Sequence, residues 1–169
     1  MPRYIEGDFL PPKGRFAICV ARFNAFITEE LVKGALDTLV RHGVADGDID
    51  VFRCPGTYEL PALTRRVSET RAYAGIVTLG AVIRGGTPHF DYVSGECTKG
   101  IGQVAFTSTA SVTFGVLTCD TVEQAIDRAG VKAGNKGGEA ALACIEMVNL
   151  HTKLASLPAL PASSEGKRS

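Results

Sequence analysis

Residues 84–89, Arg-Gly-Gly-Thr-Pro-His, carry the chain from an apolar run straight into an amphipathic one. Gly85 and Gly86 let a backbone turn sharply and approach a ligand closely. Thr87 can cap the next helix through its hydroxyl, and Pro88 suits a first helical position. The N–H groups of such a helix start form an anion site suited to phosphate, although an ordinary capped helix would use the same residues. His89 falls in the first turn, where the helix dipole disfavours a charged imidazole and suits a base near neutrality; a bound phosphate would push the other way. Elsewhere Phe23 follows a strand pattern, as a hydrophobic staple or as a stacking platform. Glu59 is either a first-turn carboxylate or an acceptor for hydroxyls. Arg128 stands where a helix C-terminus would itself favour it. Asn135-Lys136-Gly137-Gly138 reads as a turn and a helix start.

Other chemistries lack their residues. There is no GxGxxG and no P-loop, so a nucleotide cofactor is not favoured. The three histidines (42, 89 and 151) lie far apart and form no HExxH, which argues against a metal site. The run DGDID at 46–50 lacks the Gly and Glu of a calcium loop and reads as a solvated turn. The five cysteines (19, 54, 97, 119 and 144) are odd in number and widely spaced, as expected of free buried thiols in a reducing compartment. Lys plus Arg equals Asp plus Glu at 18 each, a poor balance for binding nucleic acid. No apolar run reaches the ~18 residues of a membrane span, and the start lacks the apolar core of a secretory signal. A cytoplasmic location is expected.

The elements that must position these residues alternate. Strands are expected at 16–21, 49–55, 75–83 and 112–118, those at 16–21 and 75–83 being continuously apolar. Ile27, Leu31, Ala35 and Leu39 mark a helix over 26–42, ended by His42-Gly43. Pro61, with Leu60, Leu63 and Val67, opens a second helix. Phe90, Val93, Cys97, Ile101 and Val104 mark a third, weakened by Gly100 and Gly102. Thr121 to Gln124 is a capping box for a short helix that stops at Gly130. A last helix spans 136–153, with Ala141, Ile145, Val148 and Thr152 on one face. The expected fold is α/β: a three-layer α/β/α sandwich on a flavodoxin-like, four-stranded parallel sheet. Residues 1–154 form one domain, and 155–169 read as a disordered tail. Parallel sheets bind ligands at the carboxyl ends of their strands, so residues 22–24, 55–59, 84–89 and 119–121 should share one edge.

Taken together, ARFN (21–24), PGTYELP (55–61), LGAVIRGGTPHFDYV (79–93), FGVLT (114–118) and EQAIDRAGVKAGNKGGEAA (123–141) resemble the lumazine synthase family. The resemblance covers residues 13 to 153. It implies condensation of 5-amino-6-ribitylaminouracil with 3,4-dihydroxy-2-butanone 4-phosphate to 6,7-dimethyl-8-ribityllumazine, with no metal or organic cofactor. By resemblance, Phe23, with Asn24 beside it, stacks on the pyrimidine. Thr57, Tyr58 and Glu59 line the ribityl side. Ala81, Val82 and Ile83 present backbone groups to the uracil edge. Gly86 and Thr87 cradle phosphate, and His89 shuttles protons. Phe114, Arg128 and Lys136 look like contributions from a neighbouring subunit, with Arg128 on the phosphate. The chain departs from the family's usual residues at Thr57, Tyr58, Pro88, Ser111 and Cys119, positions that bear on the fine shape of the pocket.

The resemblance also implies a homo-oligomer, a pentamer ring. AGVKAGNKG (129–137) lacks an insertion found in pentamer-only members, which favours a sixty-subunit icosahedral shell with room for riboflavin synthase inside. The segment before Pro11 would add a strand to a neighbour's sheet. A non-catalytic flavin- or lumazine-binding protein, or a structural shell protein, on the same fold are the rival readings.

Overall fold

A computed structural model describes residues 1–158. Four parallel strands form one sheet: β1 (Phe16–Ala21), β2 (Ile49–Cys54), β3 (Gly75–Ile83) and β4 (Ser111–Cys119), in the order β2-β1-β3-β4. Each strand after the first is reached by a crossover through a helix. These are α1 (Ala25–Arg41), α2 (Leu60–Glu69) and α3 (His89–Thr107); α4 (Val122–Arg128) and α5 (Lys136–Ala155) follow β4. The DGD run forms a single 3-10 turn, Asp46–Asp48, as its polar composition suggested.

The strand period divides the core. Along β1, Phe16, Ile18 and Val20 point into one cluster, while Ala17, Cys19 and Ala21 point into the other. The first cluster is closed by Ile27, Leu31, Ala35 and Leu39 of α1 and by Ala141, Ile145 and Val148 of α5. The second is closed by Leu60 and Val67 of α2 and by Cys97, Ile101 and Val104 of α3. Both faces of the sheet are therefore covered, and β1 is buried along its whole length. All five cysteines are free and buried.

Several details differ from the sequence reading. The α5 face ends at Val148: Thr152 is exposed and its hydroxyl donates to the Val148 carbonyl at 3.0 Å. Gly100 and Gly102 leave α3 unbroken. The capping box is only half formed. Thr121 Oγ1 accepts from Gln124 N–H at 3.2 Å, but Gln124 Oε1 accepts from the Asp120 N–H at 2.9 Å rather than from Thr121. Helix α5 continues to Ala155; most of the expected tail, residues 159–169, lies outside the described residues.

Candidate active site

The sheet order reverses between β1 and β3, whose following connections lead to opposite edges of the sheet, and a cavity of about 670 Å³ opens there. Pairing of β3 to β1 ends at Val20↔Leu79. Beyond it, Ala81 to Ile83 pair only with β4, so their other edge is turned to the cavity. Asn24 takes part of that edge: its Nδ2 donates to the Ala81 carbonyl at 2.9 Å. The residue is left-handed (φ 60) and starts α1 without a side-chain cap, because the carboxamide is turned to β3 instead. Asparagine tolerates this conformation better than most residues.

Phe23, Tyr58 and Glu59 complete one wall. Phe23 and Tyr58 are 69% and 60% exposed, which leaves two rings with faces open to a ligand. Glu59 has no salt-bridge partner among the described residues. Thr57 is buried and packs on β3, where a Cβ at residue 80 would stand 3.0 Å from its hydroxyl. Gly80 is what lets this bulkier residue fit. Burial pushes the nearby Cys54 thiol up, and the Glu59 carboxylate adds to it.

The loop into α3 also lines the cavity. Thr87 does not cap that helix, and Pro88 is not inside it. Pro88 itself is the residue before His89 (φ −68, ψ 1), and no side chain caps the helix. Gly85 and Gly86 need no positive φ; what they contribute is space, since a Cβ on either meets nothing within 4 Å. The backbone N–H groups of Gly85, Gly86, Thr87, His89 and Phe90 have no acceptor among the described residues, whereas the Asp91 N–H bonds Pro88 O at 3.1 Å. A capping Thr87 would have used one of these donors. Left open, they remain free to donate to a bound group. Gly85, Thr87 and His89 line the cavity; Gly86 does not.

Phe114, Arg128 and Lys136 lie elsewhere. They line a separate depression of about 470 Å³ between β4 and the start of α5. Arg128 ends α4, with Nη1 donating to the Gln124 carbonyl at 3.0 Å and no carboxylate partner among the described residues. It lies close enough to Cys119 to oppose the rise that burial imposes on that thiol. Lys136 is paired with Glu139 at 2.6 Å. One chain thus presents two separate depressions: an aromatic cavity with a carboxylate, a histidine and open N–H donors, and a second carrying two cations and a phenylalanine.

Residues 13–152 match the family model for 6,7-dimethyl-8-ribityllumazine synthase. The chain belongs to that family. A 6,7-dimethyl-8-ribityllumazine synthase of Myxococcus xanthus is 79% identical over 161 residues, covering 92% of this chain and 96% of the relative. One of Anaeromyxobacter dehalogenans is 59% identical over 157 residues, covering 93% and 97%.

Of the five positions expected to depart from the family's pattern, Thr57 and Tyr58 line the cavity. Cys119 is buried at the end of β4, opposite Ile83. Ser111 Oγ meets His151 Nδ1 at 3.0 Å, joining the start of β4 to α5. Sequence reasoning missed Tyr92 and Val93 as lining residues, although both stand at i+3 and i+4 from His89, on the same helix face. It also missed Glu139, three residues past Lys136.

Proposed function

We propose that the chain condenses 5-amino-6-(D-ribitylamino)uracil with 3,4-dihydroxy-2-butanone 4-phosphate to 6,7-dimethyl-8-ribityllumazine, releasing phosphate and water, as a transferase of riboflavin biosynthesis. The observation that carries the reading is the division of the site residues into two complementary halves. The cavity suits a ribityl-pyrimidine: Phe23 stacks on the ring, Ala81 to Ile83 meet its polar edge, and Glu59 accepts from ribityl hydroxyls beside Thr57 and Tyr58. The loop of Gly86 and Thr87 takes the phosphate. Arg128 and Lys136 of a neighbouring copy, with Phe114, close the site, and the planar fork of Arg128 suits a phosphoryl group.

The uracil's 5-amino group attacks the ketone, water leaves to give an imine, phosphate is eliminated, and the ribitylamino nitrogen closes the ring with loss of a second water. Holding two small reactants in place lowers such a barrier by up to ~7–11 kcal/mol. His89, exposed at the cavity, moves protons, worth typically ~10²–10⁴-fold. No step needs a metal or an organic cofactor.

A split site makes the working unit an oligomer. A pentamer ring, with twelve rings in an icosahedral shell around riboflavin synthase, is the assembly we infer, in the cytoplasm. The edge strand β2 offers a neighbour's amino-terminal segment a place to pair. Within one chain that segment lies on α5, where Lys153 Nζ donates to the Glu6 carbonyl at 2.9 Å and Asn149 Nδ2 to the Asp8 carbonyl at 2.9 Å. No helix among the described residues is long and apolar enough to cross a membrane.

Turnover with both substrates, followed by lumazine fluorescence, tests the reading. A flavin-binding protein would take up the lumazine without forming it, and a shell protein would do neither.

A further inference from the structure

Arg84 is the first residue past β3 and directly precedes the anion cradle, where an arginine would ordinarily reach for phosphate. Its guanidinium turns away. It lines a shallow depression with Phe90, Lys99, Thr118 and Asp120, and is not among the residues of the substrate cavity. Nε donates to Asp120 Oδ1 at 2.9 Å, and Nη1 reaches Asp91 Oδ1 at 3.2 Å and Oδ2 at 3.4 Å. The guanidinium carbon stands 4.1 Å from the centroid of the Phe90 ring. The Arg84 N–H donates to the Cys119 carbonyl at 2.9 Å, prolonging the β3–β4 ladder by one bond. One side chain therefore grips the end of β4 and the first turn of α3, and its own backbone is the end of β3. The Gly85–Pro88 loop hangs between those anchors, with no hydrogen bond from its own N–H groups to hold it.

We propose that Arg84 is a positioning residue for the phosphate-bearing substrate: it sets the Gly85–Thr87 cradle and the His89 turn without touching the ligand. The inference rests on the synthase reading for the identity of that substrate. A pair of exposed ion pairs by itself contributes little, about 0–1 kcal/mol each. Here a fork and a stacked plane meet on one guanidinium, a geometry that lysine cannot copy. The alternative role is long-range attraction of phosphate by the Arg84 charge. The two roles differ in sign at Asp120. Removing that carboxylate would strengthen attraction, but it would loosen an Arg84 that works by position.

The test uses the full-length protein and the variants Arg84→Gln, Arg84→Lys and Asp120→Ala. It measures kcat, the KM of each substrate, thermal midpoint and calorimetric binding of inorganic phosphate. Arg84→Gln should raise the KM for the butanone phosphate roughly 10- to 100-fold, as misplacements of about 1 Å do. The KM for the pyrimidine should stay within about twofold. Arg84→Lys should restore only a minor part, and Asp120→Ala should also raise the butanone phosphate KM. Phosphate affinity should fall in parallel. Full rescue by lysine, a lowered KM in Asp120→Ala, or equal loss for both substrates with a fallen thermal midpoint would each overturn the proposal. A wild-type protein without turnover would refute the synthase reading instead; the phosphate titrations would still decide whether Arg84 shapes an anion site.

Discussion

The Asn135 carboxamide occupies the space beside Gly34, so that a Cβ on residue 34 would stand 2.3 Å from Asn135 Cγ and Oδ1. Every hydrogen-bonding position of that carboxamide is in use. Oδ1 accepts from the N–H groups of Gly137 at 2.9 Å and Gly138 at 3.1 Å. Nδ2 donates to the carbonyls of Glu30 at 2.8 Å and Ala129 at 3.2 Å. Helix α1, the end of α4 and the start of α5 meet at one side chain, between Arg128 and Lys136.

Gly34→Ala should therefore destabilise the protein by about 1–3 kcal/mol through overpacking, despite alanine's better helix propensity. It should also lower activity by shifting Lys136. Gly102→Ala, in α3 with nothing within 4 Å, is the control and should be neutral or mildly stabilising. Urea unfolding of both variants checks this; equal midpoints would mean that Asn135 yields without cost.

Arg128→Ala should remove most activity and leave the thermal midpoint within a few degrees, since no carboxylate among the described residues relies on it. Arg128→Lys should recover only part, because a point charge cannot make the forked contact. Full turnover by the alanine variant at low butanone phosphate would rule the assignment out.

Phe23→Ala should weaken the pyrimidine site and spare the phosphate site. Loss of a stacking face costs roughly 1–3 kcal/mol by analogy with base–aromatic contacts. Separate titrations with a ribityluracil analogue and inorganic phosphate measure the two; equal losses would point to general unfolding.

Phe23 and Arg128 line different depressions of one chain, so two inactive variants should rescue each other. Phe23→Asp and Arg128→Ala co-expressed in equal amounts should regain about a quarter of wild-type activity, because each head-to-tail interface draws its halves independently. Mixing preformed particles should regain none. Mixed particles verified by mass spectrometry but without activity would place both residues in one subunit's site.

Burial pushes the Cys19, Cys97 and Cys144 thiols from 9.0 up to about 12. Unfolding lets them ionise at the lower value, so above pH 9 the unfolded state binds fewer protons and stability falls with pH. The stabilisation is complete below that point and is lost as pH approaches 12. Denaturant midpoints measured from about pH 8 to 11 should drop more steeply for the wild type than for a Cys19→Ala, Cys97→Ala, Cys144→Ala variant. Parallel slopes would show that other groups carry the effect.

Strands and helix faces were legible because burial on both sides of a parallel sheet needs continuous apolar runs, and because α1 keeps its apolar residues at helical spacing. β1 and β3 fall at the expected bounds, 16–21 and 75–83. Helix starts were less legible. Thr87-Pro88 has the composition of a cap and a first turn, yet both residues stay in the loop, leaving donors open. Asn24, placed by resemblance beside the pyrimidine site, donates from its carboxamide to the Ala81 carbonyl of β3, a contact between residues 57 apart in sequence. Arg84 could be read only as a cation near glycines, since the direction of its side chain depends on Asp120 at the end of another strand. Periodicity reports which face an element buries, but not which long-range partner claims a polar side chain.

The first helix made is covered by the last. Ile27, Leu31, Ala35 and Leu39 of α1 share their cluster with Ala141, Cys144, Ile145 and Val148 of α5. During translation the α1 stripe waits for roughly a hundred residues to be added, on the order of 5–20 s at typical elongation rates. A nascent chain stalled or cut anywhere before α5 carries that stripe uncovered into the cell. Such fragments should be ligands for chaperones and proteases.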